Sequence, residues 1–319
     1  MMKLRSLLSL LSLAAVVALP ASARAQEHSV EGAGLAPEVH KTLGPADIIM
    51  PHITDSRHVE YPCFKSIQEW ACEAEFPTWH IGGLDITITK HVFFLFVAGA
   101  ITLALLLGVA SSHKRHSGAI GRPKGFGAGM EAVILYLRNE IFLPVLGGHG
   151  GAKYVPFCLT LFFFIMMCNL IGLVPWGSTP TGNIAVTGTL AVITFIVVEI
   201  AGMRALGKGY LGTIIYWPHG MSLGLKLGLT IILTPVELVG KFTKPFALTI
   251  RLFANMMAGH VIILALIGLI FMFGWAVAFG SIPMALFIMG LEVIVAFIQA
   301  FIFSLLAAVF IGQIRTAHH

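Results

Sequence analysis

The sequence predicts an all-α, polytopic membrane protein with about five transmembrane helices, one amphipathic interfacial helix, and a last pair of helices that forms a long tilted hairpin. Of the 319 residues, 57% are hydrophobic and only 11% are charged, whereas a soluble domain has roughly 25% charged residues. Residues 252–291 contain no Asp, Glu, Lys or Arg, although about 20 apolar residues suffice to cross a bilayer. That run must fold back on itself, and a water-soluble monomer is excluded.

The chain begins with a segment typical of a secretory signal peptide, residues 1–25. Lys3 and Arg5 precede an apolar stretch, and the sequence A-R-A at 23–25 forms a small-x-small cleavage site. The alternative is an uncleaved first transmembrane helix, but the apolar stretch is short for a span, which favours cleavage. Both interpretations place the following residues outside the cytoplasm.

The charges divide the rest of the chain into two parts of opposite sign. Residues 26–90 contain ten acids and four bases, a net charge of −6, whereas residues 91–319 contain five acids and thirteen Lys and Arg, a net charge of +8. We therefore expect an acidic periplasmic extension at 26–90 and a membrane domain at 91–319. No basic patch interleaved with aromatic residues is found, so no nucleic acid partner is predicted.

Apolar runs and their flanking charges predict the first three spans, at 91–110, 154–175 and 184–203. The loops that follow 110 and 203 contain Lys and Arg but no acid, so the positive-inside rule places both in the cytoplasm. The connection between the second and third spans is uncharged, which suits the outer face.

Two segments of the membrane domain have a different character. Residues 127–146 mix Glu131, Arg138 and Glu140 with large apolar residues, which predicts an amphipathic helix at the interface or against other helices rather than a span. A second segment repeats glycine every four residues, which predicts close packing against another helix. Its glycines are Gly220, Gly224 and Gly228.

The four cysteines carry no metal-binding pattern. Cys63 and Cys72 lie in the exported segment, where a disulfide is permitted, and whether they form one stays open. Cys158 and Cys168 lie in an apolar span, where we expect small buried hydrophobic residues. Neither a CxxC pair nor a Cys/His spacing accompanies them, so no metal site is predicted.

The charge-free run is expected to form the hairpin. Gly274, Gly280 and Pro283 place the turn at 274–283. The second arm continues without charge from 293 to 314, so five spans and an exported N-terminal segment leave Arg315 and the C-terminus in the cytoplasm.

Five polar residues interrupt this apolar hairpin. A charged group at the bilayer centre costs at least about 2.5 to 3.5 kcal/mol on insertion scales, so we interpret the five as functional. Snorkelling toward an interface explains Lys241 but not Glu292, which lies far from either helix end. The five are Arg251, Asn255, His260, Glu292 and Gln299.

The spacing of these residues is organised. A fold-back centred at 275 places Arg251 level with Gln299, and one centred at 276 places His260 level with Glu292. At about 100° per residue, Glu292 and Gln299 share a helix face, whereas His260 lies about 180° round the helix from Arg251.

This layout predicts a proton pathway. Histidine titrates near neutral pH and a desolvated glutamate can approach it, so His260 and Glu292 can relay protons together. Arg251 keeps its proton, so it attracts a carboxylate and prevents protons from running straight through. Glu237 and Lys244 precede Arg251 at seven-residue intervals on the same face and lead away from it on the other side.

Several motifs resemble subunit a of the F-type ATP synthase. They are T-P-V-E-L at 234–238, K-P-F at 244–246, I-R-L-F-A-N-M-M-A-G-H at 250–260, E-V-I-V-A-F-I-Q-A-F-I-F at 292–303 and N-L-I-G-L-V-P at 169–175. The similarity covers roughly residues 127–312, and R-L-F-x-N-M with a downstream Q-A-F-I-F is a highly specific combination.

The resemblance implies a non-catalytic, proton-translocating stator subunit of a bacterial inner membrane, without a cofactor or a metal. Subunit a packs against a rotating ring of c subunits and offers two offset half-channels. The b-subunit peripheral stalk, the remaining ATP synthase subunits and the lipid bilayer are the other implied partners.

The resemblance also implies residue roles. Arg251 matches the arginine that faces the ring carboxylate and separates the half-channels, and Glu237 matches a residue of the inward side. Some relatives have Glu at the position of His260 and His at the position of Glu292, so the pair is swapped here. The matches on the outward side are Asn255, His260, Glu292 and Gln299.

Two other classes fit less well. A proton-coupled secondary transporter would also keep charges near the midplane, but such folds show internal repeats, and no second copy of the Arg251 region is found. A haem or quinone anchor would use paired histidines, and His260 is the only histidine in the last two predicted spans.

Overall fold

The computed structural model describes residues 54–62, 71–77, 80–81, 84–85, 88–116, 125–174, 177–213 and 223–316. The predicted signal peptide at 1–25 lies outside these residues, and so does Cys63 with its candidate disulfide.

The described part of the segment before the first membrane helix contains two short antiparallel hairpins, which the sequence did not predict. Strand β1 (His58–Pro62) pairs with β2 (Ala71–Glu75), with Tyr61 opposite Cys72. Strand β3 (His80–Ile81) pairs with β4 (Leu84–Asp85). Such small sheets have little apolar face to bury, so alternation gives a weak signal.

Five helices in the described part of the chain are long and apolar enough to cross a membrane, which confirms the predicted polytopic all-α architecture. They are α1 (Lys90–His116), α5 (Val155–Gly172), α6 (Ile184–Leu206), α7 (Leu223–Phe273) and α8 (Trp275–Thr316).

The predicted amphipathic segment is helical and does not qualify as a span. Helix α2 (Phe126–Tyr136) runs through a π-helical stretch (Leu137–Phe142) into α3 (Leu143–Leu146), and α4 (Gly148–Gly151) follows. Arg138 and Glu140 are exposed, and so are the apolar residues Val133 and Leu135 of α2, whereas Phe142 and Leu146 are almost fully buried. Arg315 Nη1 donates to the Leu146 carbonyl oxygen at 3.0 Å, so the segment packs against the end of α8.

The core lies around α5, between α1 and α8. Eleven of the eighteen residues of α5 are buried, so most of this helix is covered by the rest of the protein. Cys158 and Cys168 are fully buried free thiols, as expected of small apolar fillers. By contrast, a Cβ at Gly224 or Gly228 would meet nothing within 4 Å, so the predicted close packing is absent at these two glycines.

The hairpin is sharper than predicted. Gly274 adopts φ of 80°, which favours glycine, and its N–H donates to the Ile270 carbonyl oxygen at 2.9 Å. Helix α8 begins at the next residue, so Gly280 and Pro283 lie inside a helix and not in the turn. Proline is tolerated there because neighbouring helices and local adjustment stabilise the freed backbone groups. We call the two ends of the helix bundle the Gly274 end and the Thr316 end.

Candidate functional site

Two of the predicted hairpin residues form a buried hydrogen-bonded pair. His260 Nδ1 on α7 lies 2.9 Å from Glu292 Oε1 on α8, and His260 Nε2 lies 2.8 Å from the carbonyl oxygen of Gly172 at the end of α5. The Glu292 side chain is only 3% exposed. Three helices therefore meet at this pair. The matching depths of His260 and Glu292 predicted that α7 and α8 approach each other here, but not the contact with α5.

Three contacts of His260 restrict where its protons can be, because Nδ1 also lies 3.2 Å from the Met256 carbonyl oxygen, one turn earlier on α7. A carbonyl oxygen can only accept, so Nε2 must carry a hydrogen. A hydrogen on Nδ1 faces two acceptors, Glu292 Oε1 and the Met256 carbonyl oxygen. Its transfer to Oε1 converts an ion pair into a neutral histidine beside a carboxylic acid. The second carboxyl oxygen, Oε2, is buried without a hydrogen-bond partner among the described residues, which is costly for a group meant only for stability.

Glycine makes room for this carboxyl group. A Cβ at Gly259 would lie 2.5 Å from Glu292 Oε1, closer than non-bonded atoms approach. The glycine preceding His260 therefore allows α7 to approach the carboxylate of α8.

A second polar cluster, which the sequence interpretation missed, lies beside the pair. Thr181 Oγ1 donates to Asn169 Oδ1 at 2.6 Å and lies 2.9 Å from Thr179 Oγ1. Asn169 Nδ2 donates to the Ala296 carbonyl oxygen of α8 at 3.3 Å. A buried amide inside the apolar run of α5 was the available signal, because such groups are kept only when hydrogen-bonded.

The remaining hairpin residues are placed differently. Gln299 is 6% exposed and lies on the buried face of α8 that carries Glu292, as the seven-residue spacing predicted. Arg251 and Asn255 are exposed on α7. In the described part of the chain, no hydrogen bond or ion pair joins Arg251 to Gln299. Equal depth in the hairpin therefore does not bring these two side chains into polar contact.

The Thr316 end contains a cavity of about 260 Å³ between α6, α7 and α8. Glu237 and Lys244 line it. They lie on the same face of α7 as Arg251, which follows Glu237 by fourteen residues and Lys244 by seven. Apolar side chains such as Phe195 and Leu248 also line the cavity. Sequence spacing predicted the stripe but could not predict the cavity, which depends on how α6 and α8 pack.

Lys241 also lines this cavity and is bound rather than extended to an interface, so the snorkelling interpretation was wrong. Its Nζ lies 3.4 Å from Glu199 Oε2, 3.3 Å from Tyr210 Oη and 3.3 Å from Thr213 Oγ1. Snorkelling would leave the ammonium in solvent, whereas the Lys241 side chain is 12% exposed.

At the Gly274 end, Asp55 joins the segment before α1 to two membrane helices. Asp55 Oδ1 lies 2.7 Å from His91 Nδ1, and Asp55 Oδ2 accepts from Asn183 Nδ2 at 3.2 Å. Asn183 in turn caps α6 by accepting the Ala185 N–H at 2.9 Å. Partial burial acts to raise the pKa of Asp55, but the hydrogen bonds and charge of His91 outweigh it and hold the pKa below its ordinary value.

Comparisons with known proteins agree on one family. The family model described as ATP synthase A chain matches residues 92–312. "ATP synthase subunit a 2" of Chlorobaculum tepidum is 42% identical over 91% of this chain and 78% of its own length. "ATP synthase subunit a 2" of Prosthecochloris aestuarii is 43% identical over 97% and 90%. "ATP synthase subunit a" of Anaeromyxobacter dehalogenans is 41% identical over 95% and 78%. The chain therefore belongs to the ATP synthase subunit a family, whose members are proton-translocating subunits of the Fo membrane sector.

Proposed function

We propose that this chain is the stator subunit that carries protons through Fo along two offset half-channels, one on each side of Arg251, against a rotating ring of c subunits. The hydrogen-bonded His260–Glu292 pair carries this proposal, because a titratable pair that can exchange a proton lies on one face of α7 while a permanent cation is exposed on another face. The chain has no role in ATP chemistry itself.

The outward half-channel is assigned to the Gly274 end. Protons reach Glu292 and His260 there and pass along the buried face of α8 toward Gln299, with Asn255 at the junction with Arg251. The unpartnered Oε2 of Glu292 supports this assignment, since a second oxygen without a partner can accept a proton or a water molecule. Asn169 and Thr181 supply further hydrogen-bonding groups at the same level.

Arg251 is assigned the task of separating the two half-channels. Its guanidinium is exposed and has no hydrogen-bond partner within the described residues, although an isolated cation in an apolar helix is expensive. Large apolar side chains around it are exposed as well, among them Phe246, Ile294 and Phe297. A c ring that presents a carboxylate in an apolar surface would cover both the charge and these side chains.

The inward half-channel is assigned to the cavity at the Thr316 end. Glu237 and Lys244 provide polar groups along the face that leads to Arg251. The cavity lies on the opposite side of Arg251, along α7, from the His260–Glu292 pair, so a proton cannot pass between them without the ring.

The sidedness follows from the charges. The positive-inside rule, applied to the basic loops after α1 and α6, assigns the Thr316 end to the cytoplasm. We therefore assign the acidic segment at 26–90 to the periplasm of a bacterial inner membrane. The b-subunit peripheral stalk and the other ATP synthase subunits are the remaining partners.

The proposed function is tested by measuring passive proton flow through Fo in inverted vesicles stripped of the soluble sector. We expect this chain to purify with a c ring and to be required for flow that inhibitors of the ring carboxylate abolish. Flow that persists in vesicles lacking this chain but retaining the ring would contradict the proposal.

A further inference from the structure

We propose that Glu199 is a positioning residue of the inward half-channel, which holds Lys241 away from Glu237 and so leaves the Glu237 carboxylate able to exchange protons. This inference rests on the proposed function, because it assumes that Glu237 takes part in inward proton transfer. Neither Glu199 nor Lys241 has a role in the proposed function described above.

The sequence alone would pair Lys241 with Glu237. The two residues lie four apart on α7, with the glutamate nearer the N-terminus, which is the favoured orientation for an ion pair on a helix. Their Cβ atoms are about 5 to 6 Å apart at this spacing, well within the length of a lysine side chain.

The structure pairs Lys241 with another helix instead. Its ammonium group has three hydrogens and finds three oxygens, on Glu199 of α6 and on Tyr210 and Thr213 of the segment that follows. The Tyr210 ring also lies 4.7 Å from Nζ, a distance at which the ring face attracts a cation. The three hydrogens of the Lys241 ammonium group therefore all have acceptors other than Glu237.

The second cation of the cavity is also kept away from Glu237. Lys244 Nζ lies over the Phe310 ring at 5.1 Å. Glu237 itself is exposed to the cavity, and among the described residues no ion pair forms within 4 Å of its carboxylate. A carboxylate without a bound cation accepts a proton more readily than a paired one, which is the property that an inward proton acceptor needs.

Burial explains why the ion pair with Glu199 prevails. The side chains of Lys241 and Glu199 are only 12% and 16% exposed, so their attraction is screened less than that of a pair with the exposed Glu237. Without the Glu199 charge, Lys241 keeps two neutral oxygens, and Glu237 becomes the nearest anion within its reach.

The test uses the assembled complex in inverted vesicles, with ATP-driven proton pumping measured at matched content of this chain. Glu199→Gln is expected to lower the pumping rate roughly two- to five-fold, the range that corresponds to gaining one moderately strong ion pair. The double variant Glu199→Gln with Lys241→Gln is expected to recover most of that loss, because no lysine remains to bind Glu237.

A different result is expected if the Lys241–Glu199 ion pair only holds α6 and α7 together. Removing either partner would then impair pumping similarly, and the double variant would be no faster than Glu199→Gln. That pattern would overturn the inference, as would an unchanged rate in Glu199→Gln.

A third variant separates this inference from the proposed function. Glu237→Gln should slow pumping if Glu237 transfers protons inward. If it does so while Glu199→Gln pumps normally, only the positioning role of Glu199 fails. If Glu237→Gln pumps normally, the inward assignment of Glu237 fails, and the role of Glu199 fails with it.

Discussion

His260 Nδ1 and Glu292 Oε1 lie 2.9 Å apart, although the two residues are 32 positions apart along the chain and on different helices. The contact on the other side of the imidazole, between Nε2 and the Gly172 carbonyl oxygen, fixes the ring and its Nε2 hydrogen. The Nδ1 hydrogen faces the Glu292 carboxylate and, at 3.2 Å, the Met256 carbonyl oxygen. Of these two acceptors only the carboxylate can take up the proton, so the arrangement is suited to passing a proton.

Replacing the carboxylate should be more harmful than replacing the imidazole. We expect Glu292→Gln to slow passive proton flow through Fo at least about tenfold, since an amide cannot take up a proton and positioned proton transfer contributes on the order of a hundredfold or more. His260→Ala should slow it less, because Glu292 keeps both oxygens and water can enter the space. Equal effects, or a larger effect of His260→Ala, would show that the histidine is the leading member of the pair.

The glycine before His260 should be sensitive to a single methyl group. We expect Gly259→Ala to slow proton flow, because its Cβ would displace the Glu292 carboxylate from His260. Gly290→Ala is the matched control on α8, since a Cβ there meets nothing within 4 Å. Comparable proton flow in the two variants, at equal assembly, would contradict the importance of the His260–Glu292 distance.

The attachment of the segment before α1 to the membrane helices should depend on pH through Asp55. The pKa of Asp55 is lowered from 3.8 in the folded protein, so its stabilising contribution is fully present above that value. The contribution shrinks as the pH falls below 3.8 and disappears below the lowered pKa. Hydrogen exchange of residues 54–62 should be slower in the native protein than in Asp55→Asn at pH 7, and the difference should vanish in strong acid. Equal exchange at pH 7 would show that Asp55 does not hold the segment.

The hairpin could be predicted from the sequence because its signals are long-range and redundant. Forty charge-free residues exceed one span, and the polar residues at matched depths centre the fold-back at 275 or 276, one or two positions from the observed Gly274. The predicted turn extended too far because Gly280 and Pro283 are also typical of turns, yet a membrane helix accommodates both.

The finer contacts could not be predicted, because each depends on helices that are distant in sequence. Lys241 has a plausible partner four residues away, and only the packing of α6 against α7 brings Glu199 to it. Asp55 contacts both His91 and Asn183 only because the N-termini of α1 and α6 lie close together. Asn169 was visible as an amide in an apolar run, but its partner Thr181 lies across a turn.

The central claim is that Arg251 separates two half-channels and engages the ring carboxylate as a permanent cation. The most direct measurement is ATP-driven proton pumping in inverted vesicles that carry Arg251→Ala or Arg251→Gln at normal assembly levels. We expect both variants to lose pumping, because neither alanine nor glutamine carries a charge. Among the described residues on the same face of α7, the next cation toward the Thr316 end is Lys244, two helical turns from Arg251. Full pumping by either variant would contradict the account.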